Sequence, residues 1–493
     1  MKCCFGRNQR RGDGRGKLRV RAVLCGLLAV VVLMGGFMVF KPLPRGLDFT
    51  GTWYPLKDVS FLRDITYTDA QGVRRHDQQI MDEMLAMITQ AETLLVLDQF
   101  LFNDFAGKEG AILRPLSHAL TDAIVARKKA NPALAVWCIT DPLNTLYGGV
   151  VSPQQERLRA SGVAVIETRL TALRDSNPLY SAWWRTLLRF WPMRWGPKLP
   201  NPLGLGRVPL QSYLRLLNFK ANHRKTLVAD RDGVLWGMVS SANPHDASSA
   251  HHNVAVKFRG RPVRDLVETE RVVAAFSGGE VPGEPRREMV VIDGQKGGSI
   301  EGRILTERAV ERAALELLDT AEAGDQIMLA MFYLSSRPIV RGLLRAHGRG
   351  VKVRVLLDPN KDAFGREKNG VPNRPVGAEL DRAGIPVRWA LTRGEQFHTK
   401  LLARLRADGQ ATVLLGSSNY TRRNLRNYNL ETVIEVRGPI EDAFFEDVRA
   451  YLKRIWTNGN GAEISANFAV YDDASRWHRW LYRFQEATGL STF

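Results

Sequence analysis

Asn222-His223-Arg224-Lys225-Thr226-Leu227-Val228-Ala229-Asp230 occurs partly twice in this chain: its second copy is Phe397-His398-Thr399-Lys400-Leu401-Leu402-Ala403-Arg404-Leu405. Both copies read His-x-Lys followed by an apolar run. In an extended strand, residues two apart project to one face. His223 is thus predicted to stand beside Lys225, and His398 beside Lys400. An imidazole next to a fixed cation, supplied twice, points to displacement at phosphorus. One histidine attacks, the other protonates the departing oxygen, and the lysines neutralise the phosphoryl oxygens.

The repeat extends outward from these strands. An Asp-Gly turn follows each one (Asp232-Gly233 and Asp408-Gly409), a common hairpin signal. Each return strand ends in a small polar run, Ser240-Ser241-Ala242-Asn243 and Gly416-Ser417-Ser418-Asn419. Upstream, Leu94–Leu101 matches Gln326–Leu334, and Ala133–Pro142 matches Val351–Pro359. Helical segments precede these strands, and Pro262–Phe276 and Pro439–Trp456 read as matching closing helices. The spacing predicts an α/β fold of two duplicated halves, each a mixed sheet flanked by helices. The expected bounds are 76–276 and 301–460, joined by a Gly/Pro-rich linker at 277–300.

The copies differ in three ways. Asp141 to His223 is 82 residues, against 40 from Asp358 to His398, so the first half carries an insertion around 170–217. It holds Trp183-Trp184-Arg185 and Phe190-Trp191-Pro192-Met193-Arg194-Trp195, a composition suited to a lipid headgroup boundary. Asp230 has no counterpart in the second copy, where Leu405 or Arg406 stands. Aligning Asn253 with Asn429 puts Glu431 opposite Ala255. On that alignment Glu431 reaches His398, favours its cation and makes it the better proton donor, leaving His223 as nucleophile.

Net charge is +19 over 493 residues. Residues 1–21 hold eight Lys/Arg against Asp13 alone, a net +7, and the remainder carries +12. Such a chain suits an anionic partner, either a lipid surface or a nucleic acid. Ala22–Phe40 is uncharged and long enough to cross a hydrocarbon core of ~30 Å. No small-x-small site follows it, so it reads as an uncleaved signal anchor. The basic flank places the N-terminus in the cytoplasm and the catalytic halves on the periplasmic or outer side of an inner membrane. Residues 41–75 read as a tether. The basic aromatic segment 461–493 reads as a membrane-facing edge or a helix packed on the halves. Cys3, Cys4, Cys25 and Cys138 have no zinc-site spacing.

The two His-x-Lys motifs, the x4-Asp after the first, and the Gly/Ser-Ser-x-Asn after each resemble the phospholipase D superfamily over about residues 76–460. Asn222-His223-Arg224-Lys225 and the single N-terminal span are most similar to its bacterial cardiolipin synthase-type members. The resemblance implies a pseudo-two-fold site between the halves, a covalent phosphohistidine, and neither metal nor cofactor. It assigns catalysis to His223, Lys225, Asp230, His398, Lys400 and Glu431, and substrate binding to Ser241, Asn243, Ser417 and Asn419. The implied activity is phosphatidyl transfer between phospholipids at an anionic membrane surface. A hydrolytic phospholipase D and a nuclease use the same chemistry. The span and the Trp-rich insertion favour lipid over nucleic acid. The intact His-x-Lys pairs argue against a non-catalytic lipid-binding protein.

Overall fold

The computed structural model describes residues 13–105, 112–279, 300–363, 366–491 and 493. Residues 1–12 of the basic tail and 280–299 of the expected linker lie outside the described residues.

The duplication is complete. The first sheet runs Arg74–Gln78, Lys57–Thr68, Asn253–Arg259, Val234–Ser240, Lys225–Arg231, Leu94–Gln99, Ala135–Thr140, Ala164–Glu167. The second runs Tyr54–Pro55, Glu301–Thr306, Thr432–Pro439, Gln410–Gly416, Lys400–Leu405, Gln326–Met331, Lys352–Leu357, Val387–Ala390, Ser465–Asn467. From Lys57–Thr68 and from Glu301–Thr306 onward, seven strands follow the same order. Both sheets are mixed. Leu94–Gln99 pairs in parallel with Ala135–Thr140 and antiparallel with Lys225–Arg231, and Gln326–Met331 repeats that arrangement.

The sheets pack face to face. One core contains Val96, Val228 and Val254 together with Ala330, Leu401 and Ile434. Alternate residues turn outward: Leu95 and Leu97 pack under the helices Ile80–Gln90 and Leu116–Ala130. Leu329 and Met331 do the same under Arg308–Asp319 and Arg337–Gly348. With both faces buried, the central strands carry apolar residues on both sides, hence their continuous apolar runs.

The expected tether at 41–75 is overturned. Lys57–Thr68 is a twelve-residue strand of the first sheet, paired with Asn253–Arg259. Its Pro- and Gly-rich lead-in hid it. That lead-in binds the other half first, through a Thr50–Leu305 bridge and Tyr54–Pro55 against Glu301–Gly302. The segment therefore straps the halves together.

The N-terminal helix is Asp13–Phe40, and its Lys17–Phe40 portion is long and apolar enough to cross a membrane. Within the insertion, helix Pro178–Thr186 packs on it. The Gly35 position, lacking a side chain, lets Ala182 approach to 3.2 Å of where a Cβ would stand. Trp184 is buried, whereas Trp183, Phe190, Trp191 and Trp195 are exposed. The C-terminal helix Arg476–Thr488 divides in the same way. Tyr482 is buried and accepts from Arg337, while Trp477, Trp480 and Phe484 are exposed and stack at centroid distances of 4.9 and 5.2 Å.

Candidate active site

Each histidine stands just before its strand, where an acid just past the end of the next-but-one strand, Ala135–Thr140 or Lys352–Leu357, fixes the incoming backbone. Asp141 accepts from the Asn222 amide at 2.7 Å, and Asp358 from the Phe397 amide at 2.8 Å. Burial pushes these carboxyls up, to about 8 for Asp141 and about 7 for Asp358. Two parallel bridges then stitch the halves, Asn222 with Leu430 and His252 with Phe397. These bridges bring His223 and His398 to one cavity of about 710 Å³.

The surroundings of the two histidines match. The Lys225 ammonium donates to the His223 carbonyl at 2.7 Å, and that of Lys400 to the His398 carbonyl at 2.8 Å. Each ammonium also lies over a phenylalanine, Phe100 at 5.0 Å and Phe332 at 5.1 Å. The same rings meet His223 at 4.8 Å and His398 at 5.0 Å. Phe100 and Phe332 were visible as a repeated residue just beyond matching strands. Nothing in the sequence said that the strands end at the site.

Behind the histidines the matching ends. Glu431 sits on His223, with carboxylate oxygens 3.0 and 3.1 Å from Nδ1. His398 Nδ1 instead faces the Asn253 amide oxygen at 3.2 Å. The expected Glu431–His398 contact is therefore corrected. Ser241 lies 12 residues before Asn253, but Ser417 lies 14 before Glu431. The short helix Arg422–Leu425 falls in that longer span, so alignment on Asn253 and Asn429 slipped by two. Glu431 is the counterpart of Asn253, and each histidine is held by a residue of the opposite half.

Ser241 and Ser417 were expected on the substrate. Their hydroxyls instead bond Asn253 (3.2 Å) and Glu431, the groups behind the histidines. They also accept from the Val254 and Thr432 amides. They stand behind the histidines and are not part of the cavity lining. Asn243 and Asn419 do line the cavity. Asn243 Oδ1 accepts from the Leu101 amide at 3.4 Å, and Asn419 Oδ1 is buried without a partner among the described residues.

Asp230 is not at the site. It stands at the far end of the strand, about 20 Å from His223 at ~3.3 Å per residue. Its carboxylate accepts from the amides of Glu92, Thr93 and Leu94 and from the Thr93 hydroxyl at 2.7–3.1 Å. The second half braces the same corner from the opposite strand: Asp325 accepts from the Ala407 amide (3.0 Å) and pairs with Arg404 (2.7 Å). The acid has changed strands, which is why no Asp follows the second His-x-Lys.

Arg224, between His223 and Lys225, points away into the core. It is fully buried between Glu270 of the first half (3.3 Å) and Glu307 of the second (2.8 Å). In the second copy Thr399 takes this place and meets the Tyr451 hydroxyl at 3.0 Å.

Burial pushes both imidazoles down. His223 falls to about 4, with Glu431 opposing and Lys225 assisting. His398 falls well below its usual range, helped by Lys400, His251 and Lys225. Burial lowers Lys225 to about 7 and also holds Lys400 well below its usual range, with Lys225 itself depressing Lys400. Burial thus disfavours charge on both imidazoles and both ammoniums, a penalty that a phosphodiester anion beside them would offset. Among the described residues, no three His, Cys, Asp or Glu side chains come together to hold a metal ion. His245 and His251 also line the cavity. So do Lys368, Arg423 and the Asn201–Gly204 tip of the insertion's ribbon.

The site is therefore one cavity on which duplicated mixed sheets converge two His-x-Lys strands. Residues 315–456 match the family described as "Cardiolipin synthase, PLD-like domain". The fold of the chain is similar to that of phosphatidylserine synthase from Haemophilus influenzae, with 10% identity, a TM-score of 0.52 and coverage of 90% of this chain and 97% of that one. Polyphosphate kinase from Porphyromonas gingivalis aligns at 13% identity and a TM-score of 0.43, over 83% of this chain and 51% of that one. The phospholipase D family member Nuc from Salmonella typhimurium aligns at 18% identity and 0.26, over 33% of this chain and 97% of that one. A search of curated protein sequences gave no significant match.

Proposed function

We propose that this protein is a membrane-anchored phosphatidyltransferase of the cardiolipin synthase type. It cleaves a phospholipid phosphodiester through a phosphohistidine and passes the phosphatidyl group to the alcohol of a second lipid. The observation that carries the reading is the cross-wired pair, His223 on Glu431 and His398 on Asn253, in one cavity.

Glu431 accepts the Nδ1–H of His223, so Nε2 presents its lone pair to phosphorus. The imidazole turns cationic as the N–P bond forms, and a buried carboxylate at Nδ1 stabilises that charge. His223 is therefore the nucleophile. His398 must gain and lose a proton in each cycle. A neutral amide partner holds its ring without fixing its charge. It protonates the leaving alcohol and then takes the proton of the incoming one, opening the P–N bond. Lys225 and Lys400, with Asn243 and Asn419, stabilise the non-bridging oxygens. The apolar helix anchors the chain, its basic flank sets the N-terminus inside, and the exposed tryptophans of the insertion rest on the anionic lipid surface.

Purified full-length protein given labelled phosphatidylglycerol should yield cardiolipin and glycerol, and phosphatidic acid where water is the acceptor. His223→Ala and His398→Ala should each abolish turnover. Cleavage of DNA with no turnover of any phospholipid would overturn the lipid assignment.

A further inference from the structure

A second cavity, of about 290 Å³, lies beside the catalytic one. A single layer of chain separates them. Pro142 and Lys220 face the small cavity, and their neighbours Leu143 and Ala221 face the large one. Arg169, Arg189 and Arg215 line the small cavity against one acid, Glu167. Glu167 already accepts from the Thr145 hydroxyl at 3.0 Å. The Lys220 ammonium is likewise engaged, by the Leu173 carbonyl at 2.8 Å and by Asp175. Arg189 lies over Phe190, and Arg215 donates to the Tyr147 carbonyl at 3.0 Å. Neither Arg169 nor Arg189 pairs with an acid among the described residues.

Trp184 forms part of the wall. It is 7% exposed, and its indole N–H has no acceptor among the described residues. A buried donor without an acceptor is unfavourable, and the cavity beside this ring is rich in guanidinium charge. An oxyanion there would answer the guanidinium charge. The location selects the source of that anion. The helix carrying Trp184 packs on the apolar N-terminal helix through Ala182 and Gly35. The Asp175 amide donates to the Met38 carbonyl at 3.1 Å, and Lys41 to the Thr171 carbonyl at 3.4 Å. The cavity thus sits where the apolar helix ends. Its volume is just under the ~300 Å³ at which small-molecule sites begin, which suits a headgroup rather than a whole lipid.

We propose that this cavity binds the phosphodiester headgroup of a second anionic phospholipid, distinct from the one cleaved at His223. The identity of the ligand rests on the lipid reading above, whereas the oxyanion chemistry does not.

The test uses full-length His223→Ala protein, which cannot turn the probe over, in phosphatidylcholine nanodiscs. Calorimetry with dihexanoyl phosphatidylglycerol should show two sites per chain. Adding Arg169→Ser and Arg189→Ser should leave one, the second weakened about tenfold or more. With His223 intact, the Arg169→Ser/Arg189→Ser enzyme should still cleave a soluble phosphodiester normally, which shows that it is folded. A single site in the parent protein, or two sites unaffected by these substitutions, would overturn the proposal. Equal affinity for inorganic phosphate would overturn its lipid part. If native enzyme turns over no phospholipid while the second site still binds anion, the failure belongs to the lipid reading instead.

Discussion

Replacing Glu431 with glutamine should slow catalysis about a thousandfold with little change in substrate binding. The carboxylate is fully buried, with its oxygens 3.0 and 3.1 Å from His223 Nδ1. At that separation and an effective dielectric of ~20, unit charges attract by roughly 5 kcal/mol. The neutral amide keeps the shape and recovers about 1 kcal/mol as an ordinary hydrogen bond. About 4 kcal/mol of stabilisation of the forming imidazolium is lost, and each ~1.4 kcal/mol is a decade in rate. The amide can also turn its NH2 toward Nδ1 and trap the unproductive tautomer. Asn253→Ala, which removes only a neutral acceptor from His398, should slow the reaction roughly tenfold by the same scale. The assay is kcat on a soluble diester together with trapped phosphohistidine, on protein whose melting has been checked because Ser417 and Asn424 also bond Glu431. A Glu431→Gln enzyme within tenfold of wild type, or an Asn253→Ala enzyme equally impaired, would refute the asymmetric assignment.

Asp230→Asn should cost about 1–3 kcal/mol of stability by leaving amides at the strand corner poorly matched, yet leave kcat per folded molecule unchanged; denaturant melts and kinetics on one preparation separate the two. Arg224→Met should strand Glu270 and Glu307 without their cation and destabilise the protein by roughly 3–5 kcal/mol, read as a lowered Tm. The free-enzyme pH profile should be confined on both sides. On the alkaline side His398, the proton donor, is held well below its usual range and Lys225 is held to about 7, so kcat/KM falls as pH rises and is largely lost once pH passes 7. His223, held to about 4, stays neutral and nucleophilic until pH falls through that value, so the acid limb lies near 4. Activity constant well into the alkaline range would contradict the buried-lysine account.

The duplication, the two His-x-Lys strands and the apolar helix were legible because each is a local pattern that a single chain repeats or sustains. What sits behind each histidine was not. Glu431 and Asn253 act across the seam, and spacing within one half cannot report which residue of the other half arrives there. The insertion of Arg422–Leu425 also displaced the apparent alignment by two. Asp230 misled for a different reason: its neighbours in sequence share the site's strand, but the strand is long enough to carry its far end away from the chemistry. Lys57–Thr68 was hidden by the Pro- and Gly-rich segment before it, and its partner strand lies nearly two hundred residues on.

Because each half completes the histidine of the other, the site carries a constraint on its own history. In a symmetric pair of identical subunits, one codon would write both supporting positions, and both histidines would have a carboxylate or both an amide. The difference between Glu431 and Asn253 can be encoded only once the two copies share a chain. A shared chain therefore does more than join two domains: it lets a site of two-fold design become directional, with a carboxylate behind one histidine and an amide behind the other.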